Sequence, residues 1–218
     1  EPADIDDLKL LIPLAKRYNI PILVIGAGSN ILVSDKGVRC IVLRLNSPYF
    51  KSIIKEGNYL KVGSGVILRD LIFKARDYNL SGFEFLAGIP ATVGGALVMN
   101  AGAWGRNIGS LVKEVTVMDY QGKIKTLSKK EIKFAYRKTD LAKYIILNST
   151  FRLVRKNKKA IEDKINKYLK NRTKMQDNTF PNAGCIFKNP LPESAGRLID
   201  SCGLKGKRIG DARISSRH

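Results

Sequence analysis

Apolar residues recur at helical spacing in three segments of the chain, residues 4–18, 66–78 and 160–170. Each segment has one apolar face of the kind that packs onto a protein core. The apolar positions are Leu8, Leu11, Ile12 and Ala15, then Leu68, Leu71, Ile72 and Ala75, and last Ile161, Ile165, Tyr168 and Leu169. Asp4 is placed to cap the first helix, and Pro13 predicts a kink or an early break in it. Asn79 is placed to end the second helix.

Short runs rich in apolar and β-branched residues predict strands between these helices. The runs are residues 20–25, 40–45, 59–62, 112–120, 123–127 and 144–154. The run at 20–25 has little polarity, which is typical of a buried strand. Gln121-Gly122 predicts a hairpin turn, and Ser128 with Glu131 has the capping-box spacing of a short helix over residues 128–134. This mixture predicts an α+β protein.

Two glycine-rich segments, residues 26–30 and 88–105, interrupt the pattern. The first follows a strand but departs from the dinucleotide fingerprint, because Ile31 takes the third glycine position and no acidic residue lies about 20 residues on. Its N–H groups can still form a phosphate nest, with Asn30 as a side-chain donor, or it is an ordinary turn. The second is either a wall laid against a flat or phosphorylated ligand or a tightly packed turn and strand. Together they indicate a nucleotide-like ligand.

Three single residues are candidates for chemistry. Arg137 lies at the end of the predicted short helix, and its planar fork suits a carboxylate or phosphate, although a plain surface charge is the alternative. Cys185 lies in an apolar run that predicts a strand between Gly184 and Pro190, and it is a candidate thiol or a small buried hydrophobe. His218 is the only histidine, which argues against Ser–His or Cys–His nucleophiles and a His-rich metal site.

Composition narrows the protein class. A 44% hydrophobic content over 218 residues fits a globular chain, and no apolar run is long enough to span a bilayer. Cys40, Cys185 and Cys202 form no C-x-x-C pair, which favours a reducing cytoplasm over disulfides or zinc. The formal net charge of +20 attracts anions, including nucleic acids, but the basic residues are dispersed along the chain.

Four motifs occur in order along the chain: residues 26–37, residues 88–103, Tyr136-Arg137 and residues 183–190. They resemble the pyrophosphate loop, the second flavin-binding segment and the two active-site motifs of the UDP-N-acetylenolpyruvoylglucosamine reductase family. The match continues through residues 195–200 and 203–206 and covers nearly the whole chain. Four motifs in one order are far more specific than any one of them.

The resemblance implies an FAD-binding fold of the vanillyl-alcohol-oxidase type in two subdomains, residues 1–47 and 48–154, and a C-terminal α+β substrate domain, residues 155–218. It implies NADPH-dependent, FAD-mediated reduction of UDP-N-acetylglucosamine enolpyruvate to UDP-N-acetylmuramate, in the cytoplasmic synthesis of peptidoglycan precursors. It also implies that the chain is cut at both ends, with the family's catalytic glutamate beyond His218 and the first flavin-contacting segment before Glu1.

The resemblance also implies a role for individual residues. Arg137 would stabilise the enolate, and Cys185 would donate the proton in place of the family's usual serine, since a thiol is a stronger acid than an alcohol. The implied FAD-binding residues are Gly26, Ala27, Gly28, Ser29, Asn30, Ile31, Gly88, Ile89, Thr92, Gly94, Gly95, Asn100, Ala101 and Gly102. The implied substrate-binding residues are Tyr136, Lys188, Asn189 and Arg172. No metal site is expected.

Two other functions compete with this one. Another FAD enzyme of the same fold, such as a sugar or alcohol oxidase, would share the glycine segments but has no need of Tyr136-Arg137 or the Cys185 motif. A basic nucleic-acid-binding protein would gather its lysines and arginines on one face or interleave them with exposed aromatics. Because the basic residues are dispersed, neither a nucleic-acid partner nor a membrane partner is expected.

Overall fold

The computed structural model describes residues 1–176, 183–190 and 192–216. In these residues the helices are α1 (Ile5–Arg17), α2 (Leu68–Asp77), α3 (Val93–Val98), α4 (Lys158–Met175) and α5 (Ala195–Ser201). The strands are β1 (Ile22–Ile25), β2 (Ile41–Arg44), β3 (Ile53–Glu56), β4 (Tyr59–Gly63), β5 (Leu80–Ser81), β6 (Gly102–Ala103), β7 (Arg106–Asn107), β8 (Val112–Met118), β9 (Ile124–Ser128), β10 (Phe134–Ala135), β11 (Lys138–Thr139), β12 (Ile145–Arg152), β13 (Val154–Arg155), β14 (Arg208–Ile209) and β15 (Ala212–Arg213). Single 3-10 turns lie at Pro48–Lys51, Glu84–Leu86, Ile108–Leu111, Lys129–Glu131 and Asp140–Lys143. This mixture confirms the α+β class.

The chain forms two compact units, Glu1–Ile165 and Asn166–His218, and the division falls within α4. The first unit contains a five-stranded sheet in the order β3-β4-β12-β8-β9. All neighbours in this sheet are antiparallel. The described part of the second unit holds α5 and the β14–β15 hairpin. None of the helices in the described ranges has the length and apolar character needed to cross a bilayer.

Helix α1 forms as its apolar spacing predicts. The Asp4 carboxylate caps it by accepting hydrogen bonds from the N–H groups of Asp6 and Asp7. Its apolar face packs into a buried cluster with β2, β8 and β12. The members are Leu8, Ile12, Leu43, Leu45, Phe50, Met118, Ile145 and Leu147. The early break at Pro13 was a wrong prediction, because the helix continues through this residue to Arg17.

The first strand differs from the prediction in its burial. Strand β1 is only partly buried, and Leu23 within it is 40% exposed. It pairs with β2 in parallel, in the register Ile22↔Ile41 to Ile25↔Arg44. A parallel pair needs a crossover between its strands, and the crossover here is the loop over residues 26–40, which carries the first glycine segment.

The local predictions around α2 and the β8–β9 hairpin are confirmed. All four apolar-face residues of α2 are buried, and Asn79 ends the helix in the left-handed region at φ 56°. The β8–β9 turn has Gly122 at φ 84°. The Asp119 carboxylate braces it by accepting from the N–H groups of Gln121 and Lys123.

Two helix predictions need correction. The Ser128–Glu131 capping box is present, and hydrogen bonds from the Ser128 hydroxyl and N–H lower the pKa of the Glu131 carboxyl. The box closes only the 3-10 turn Lys129–Glu131, so the predicted helix over residues 128–134 was wrong. Helix α4 is longer than predicted and buries Ile161 and Ile165, whereas Leu169 is 36% exposed.

Candidate functional site

The first glycine segment is an open loop at the end of β1. Gly26 is half-buried, and residues 27–39 are exposed. Gly28 has φ 73°, a left-handed conformation that favours glycine. Within residues 27–39 of the described structure, the backbone N–H groups that donate to protein are those of Lys36 and Gly37. They donate to the hydroxyl and the carbonyl of Ser34. The N–H groups earlier in the loop are therefore available to an anionic ligand.

The two glycine segments meet at Gly26 and Thr92. A Cβ atom built on Gly26 would overlap the Thr92 hydroxyl oxygen. The absence of a Cβ at this position thus permits the close approach of the second segment. The prediction that both segments serve one ligand needs them to be adjacent, and the structure places them so.

The second segment contains a short helix that the sequence pattern did not predict. Thr92 caps α3 by accepting at its hydroxyl from Gly95 N–H at 3.3 Å. Gly94 donates its N–H to the Ser64 carbonyl at 2.8 Å, and a Cβ on Gly94 would approach Ser64 Cβ to 3.1 Å. Upstream of the helix, Gly88 turns at φ 80° and Ile89 is half-buried.

The end of this segment is bound to the rest of the protein. Asn100 is buried, lies at φ 41° and uses both ends of its side-chain amide on protein backbone. Ala101 is also buried, and its N–H and carbonyl bond to Ala96 and Ile108. Gly102 must lack a Cβ because one would overlap the Arg106 carbonyl oxygen across the β6–β7 pair. These three residues have structural duties that the resemblance did not indicate.

Arg137 lies in a tight hairpin and not at the end of a helix as predicted. The hairpin pairs β10 with β11, and Tyr136 and Arg137 form its two-residue turn. Arg137 has φ 54°, which is uncommon for a residue other than glycine. Its guanidinium Nη1 donates to the Gly102 carbonyl at 3.0 Å. The structure therefore brings Arg137 to the end of the second glycine segment.

The side chain of Tyr136 is 48% exposed, and its ring centroid lies 5.5 Å from the Arg137 Cζ atom. Trp104, in the neighbouring β6–β7 turn, also has a positive φ of 58°. Such backbone conformations in residues other than glycine gather at functional sites. The two hairpin turns that hold Arg137 and Trp104 could not be predicted from the sequence, because their two-residue strands are too short to show an apolar period.

In the second unit, the candidate residues Cys185, Lys188 and Asn189 lie on exposed and irregular chain. The predicted apolar strand around Cys185 is absent, and residues 183–190 are exposed without regular structure. The alternative of a small buried cysteine is therefore wrong. Lys188 is exposed, and the Asn189 side-chain oxygen accepts from Ala195 N–H at 3.1 Å at the start of α5. Arg172 lies in the last turns of α4.

Among the described residues, no group of three or more His, Cys, Asp or Glu side chains is placed to hold a metal ion. His218 lies outside the described residues. The candidate site in the first unit thus consists of an open loop of backbone donors, the glycine-containing helix α3 and the Arg137 guanidinium. This combination fits a phosphate-bearing ligand and a second, anionic one.

The family model for the FAD binding domain matches residues 1–128, and the model for the UDP-N-acetylenolpyruvoylglucosamine reductase C-terminal domain matches residues 173–218. The chain is 40% identical over 219 aligned residues to the UDP-N-acetylenolpyruvoylglucosamine reductase of Desulforamulus reducens, covering 100% of this chain and 72% of that protein. It is similar to the crystal structure of the enzyme of that name from Thermus caldophilus, with a TM-score of 0.85 and 37% identity over 98% of this chain and 76% of that one.

A more distant structural relative, cholesterol oxidase from Brevibacterium sterolicum, has a TM-score of 0.55 at 15% identity, covering 71% of this chain and 33% of that one. That likeness shows the fold alone and agrees with the predicted oxidase-type FAD-binding fold. The chain is an FAD-dependent oxidoreductase by fold and by the FAD-binding match. Because the Desulforamulus reductase is 40% identical to the chain over 100% of the chain's length, the chain belongs to the UDP-N-acetylenolpyruvoylglucosamine reductase family.

Proposed function

We propose that this chain catalyses the NADPH-dependent reduction of UDP-N-acetylglucosamine enolpyruvate to UDP-N-acetylmuramate, a cytoplasmic step in peptidoglycan precursor synthesis. The observation that carries the proposal is the hydrogen bond from Arg137 Nη1 to the Gly102 carbonyl. It fixes a cationic side chain at the end of the segment that resembles a flavin-contacting wall. A reductase of an enolpyruvyl carboxylate needs a cation close to its cofactor.

The residues of the first unit fit FAD. The loop after β1 offers backbone N–H donors and no acidic side chain between Gly26 and Ser34, which suits a pyrophosphate. Glycine at position 26 lets the α3 segment approach this loop closely. When bound, FAD supplies the two-electron transfer between the nicotinamide and the enolpyruvyl group. Residues 1–47 and 48–154 are proposed as its two subdomains, and residues 155–218 as the substrate domain.

Arg137 is proposed to bind the substrate carboxylate and to stabilise the negative charge that develops on it during reduction. A guanidinium has five N–H donors. In the described structure, the Arg137 guanidinium makes one hydrogen bond, from Nη1 to the Gly102 carbonyl. Donors remain for a carboxylate, which arginine binds in a two-pronged manner. Tyr136, Lys188, Asn189 and Arg172 are proposed to bind the rest of the substrate.

Cys185 is proposed to give a proton to the second carbon of the enolpyruvyl group. The thiol is exposed and can meet a substrate without rearrangement of a core. A thiol releases a proton more readily than the serine hydroxyl usual in the family, so the pH dependence of turnover should differ from that of a serine enzyme.

The chain spans 72% of the Desulforamulus relative, so the test uses a version extended to the full length of its relatives. This version is reconstituted with FAD, and NADPH oxidation with the enolpyruvyl UDP-sugar is followed, with mass spectrometry of the product. Arg137→Met should lower substrate reduction by about 10²–10³-fold and leave NADPH reduction of the flavin nearly unchanged. Lys138→Met removes an exposed charge from the same hairpin and is the matched control. No substrate-dependent NADPH oxidation by the wild type would refute the function. Normal turnover by Arg137→Met would refute the role of the arginine.

A further inference from the structure

The hairpin that carries Arg137 is fastened to the C-terminal end of α3 by a buried threonine. The Thr139 side chain is 3% exposed. Its hydroxyl lies 3.2 Å from the Leu97 carbonyl and 3.1 Å from the Val98 carbonyl, and it accepts from Leu141 N–H at 3.3 Å. The last carbonyls of a helix lack partners within the helix. Thr139 therefore joins these carbonyls to the β11 side of the hairpin.

A second buried side chain holds the β10 side of the same hairpin. Asn100, at 6% exposure, donates from Nδ2 to the Ala135 carbonyl at 2.9 Å. Its Oδ1 accepts from Gly109 N–H at 3.2 Å. Asn100 follows α3 and has φ 41°, a conformation that asparagine adopts more readily than most residues. Both strands of the hairpin are thus tied to one helix end.

The two ties enclose the turn residues. Ala135 directly precedes the Tyr136–Arg137 turn, and Thr139 follows the turn after one residue, Lys138. Arg137 itself is in the left-handed region, which other residues than glycine hold only where their surroundings determine it. Its guanidinium meets Gly102, two residues beyond Asn100. The backbone around Arg137 and its guanidinium are therefore both hydrogen-bonded to residues 97–102.

We infer that Asn100 and Thr139 are positioning residues, which fix the Arg137 guanidinium for reaction with the substrate. The inference rests on the proposed function and extends it to two side chains whose hydrogen bonds are made to protein backbone. Misplacement of a catalytic group by about 1 Å can lower a rate 10²-fold. Loss of the hydrogen bonds of either Asn100 or Thr139 gives the Tyr136–Arg137 turn more freedom, while the substituted side chain stays buried.

Thr139→Val keeps the shape of the side chain and removes its hydrogen bonds, and Thr139→Ser keeps the hydroxyl. With the FAD-loaded chain, Thr139→Val should lower kcat for enolpyruvyl reduction by at least about tenfold. The rate of flavin reduction by NADPH and the KM for NADPH should stay within about twofold, and Thr139→Ser should restore kcat. Thr126→Val, at the exposed Thr116–Thr126 pair, is the control for loss of a threonine hydroxyl elsewhere.

Hydrogen–deuterium exchange of the protein without FAD gives a readout that does not depend on turnover. In Thr139→Val the amides of residues 135–138 should exchange at least about tenfold faster, with β8 and β12 unchanged, and Thr139→Ser should match the wild type. Equal kcat in Thr139→Val and Thr139→Ser, or an equal loss in both half-reactions, would overturn the inference. If the wild type reduces no substrate, the proposed function fails, and the exchange contrast alone decides whether the ties position the turn.

Discussion

The contact between Gly26 and Thr92 can be tested without cofactor or substrate. Gly26→Ala adds a methyl group that overlaps the Thr92 hydroxyl oxygen, while Thr92 Cβ and Cγ2 lie at ordinary distances of 3.5 and 3.7 Å. Gly26 is not among the residues of positive φ, so the alanine meets no backbone strain. The overlap is relieved only by turning a stiff β-branched side chain away from the helix that it caps.

The magnitudes follow from these atoms. Overpacking by one methyl group costs about 1–3 kcal/mol, and loss of the α3 cap in Thr92→Ala costs about 1 kcal/mol. Thr92→Ala also removes the atom that the new methyl group meets. The double variant Gly26→Ala/Thr92→Ala should therefore be about as stable as Thr92→Ala alone, which gives a coupling free energy of roughly 1–3 kcal/mol.

Urea unfolding of the protein without FAD measures this coupling. Trp104 is the only tryptophan, so its fluorescence reports the first unit. Gly28→Ala is the matched control, because Gly28 has φ 73° and nothing within 4 Å of a built Cβ. Its cost of about 1–2 kcal/mol comes from backbone conformation, and Thr92→Ala should not reduce it. Additive effects of Gly26→Ala and Thr92→Ala would refute the contact.

Three other side chains give predictions for stability or turnover. Ser149 is wholly buried, and its hydroxyl has no hydrogen-bond partner among the described residues. Ser149→Ala should therefore raise the free energy of unfolding by about 1 kcal/mol, and a loss in urea unfolding would contradict this. Burial raises the pKa of the Tyr120 hydroxyl above its ordinary value of 10.0. The stabilisation linked to this proton is complete below that value and is lost as the pH rises through the higher folded-state pKa. Tyr120→Phe should therefore lose less stability than the wild type as the pH is raised above 10.0. In a version extended to the full length of its relatives and with FAD bound, Cys185→Ser should keep much of the activity, whereas Cys185→Ala should still let NADPH bleach the flavin but fail to complete product formation. Normal turnover by Cys185→Ala would exclude the thiol as proton donor.

Features set by neighbouring residues could be predicted from the sequence. The apolar spacing of α2, its stop at Asn79 and the turn at Gly122 all depend on side chains within one or two turns of chain. The family and its FAD cofactor were predicted from the order of four motifs, because four matches in one order are far less likely to arise by chance than one glycine loop.

Features set by distant contacts could not be predicted. Helix α3 contains Gly94 and Gly95, which disfavour helix, and it forms because the Thr92 cap and the Gly94–Ser64 bond hold it. The sequence predicts a helix end at Arg137, because the Ser128–Glu131 capping box lies just before it. Only the three-dimensional fold shows that this turn is tied to α3.

The bond between Arg137 and Gly102 has a further consequence for affinity. A carbonyl group orients a guanidinium through its dipole but carries no net charge, so orientation is obtained without neutralisation. None of the ion pairs in the described part of the chain involves Arg137. A carboxylate in place of the carbonyl would align the side chain equally well and cancel the attraction for an anionic substrate. The side chain is therefore held in a fixed direction with its whole positive charge left to an incoming anion.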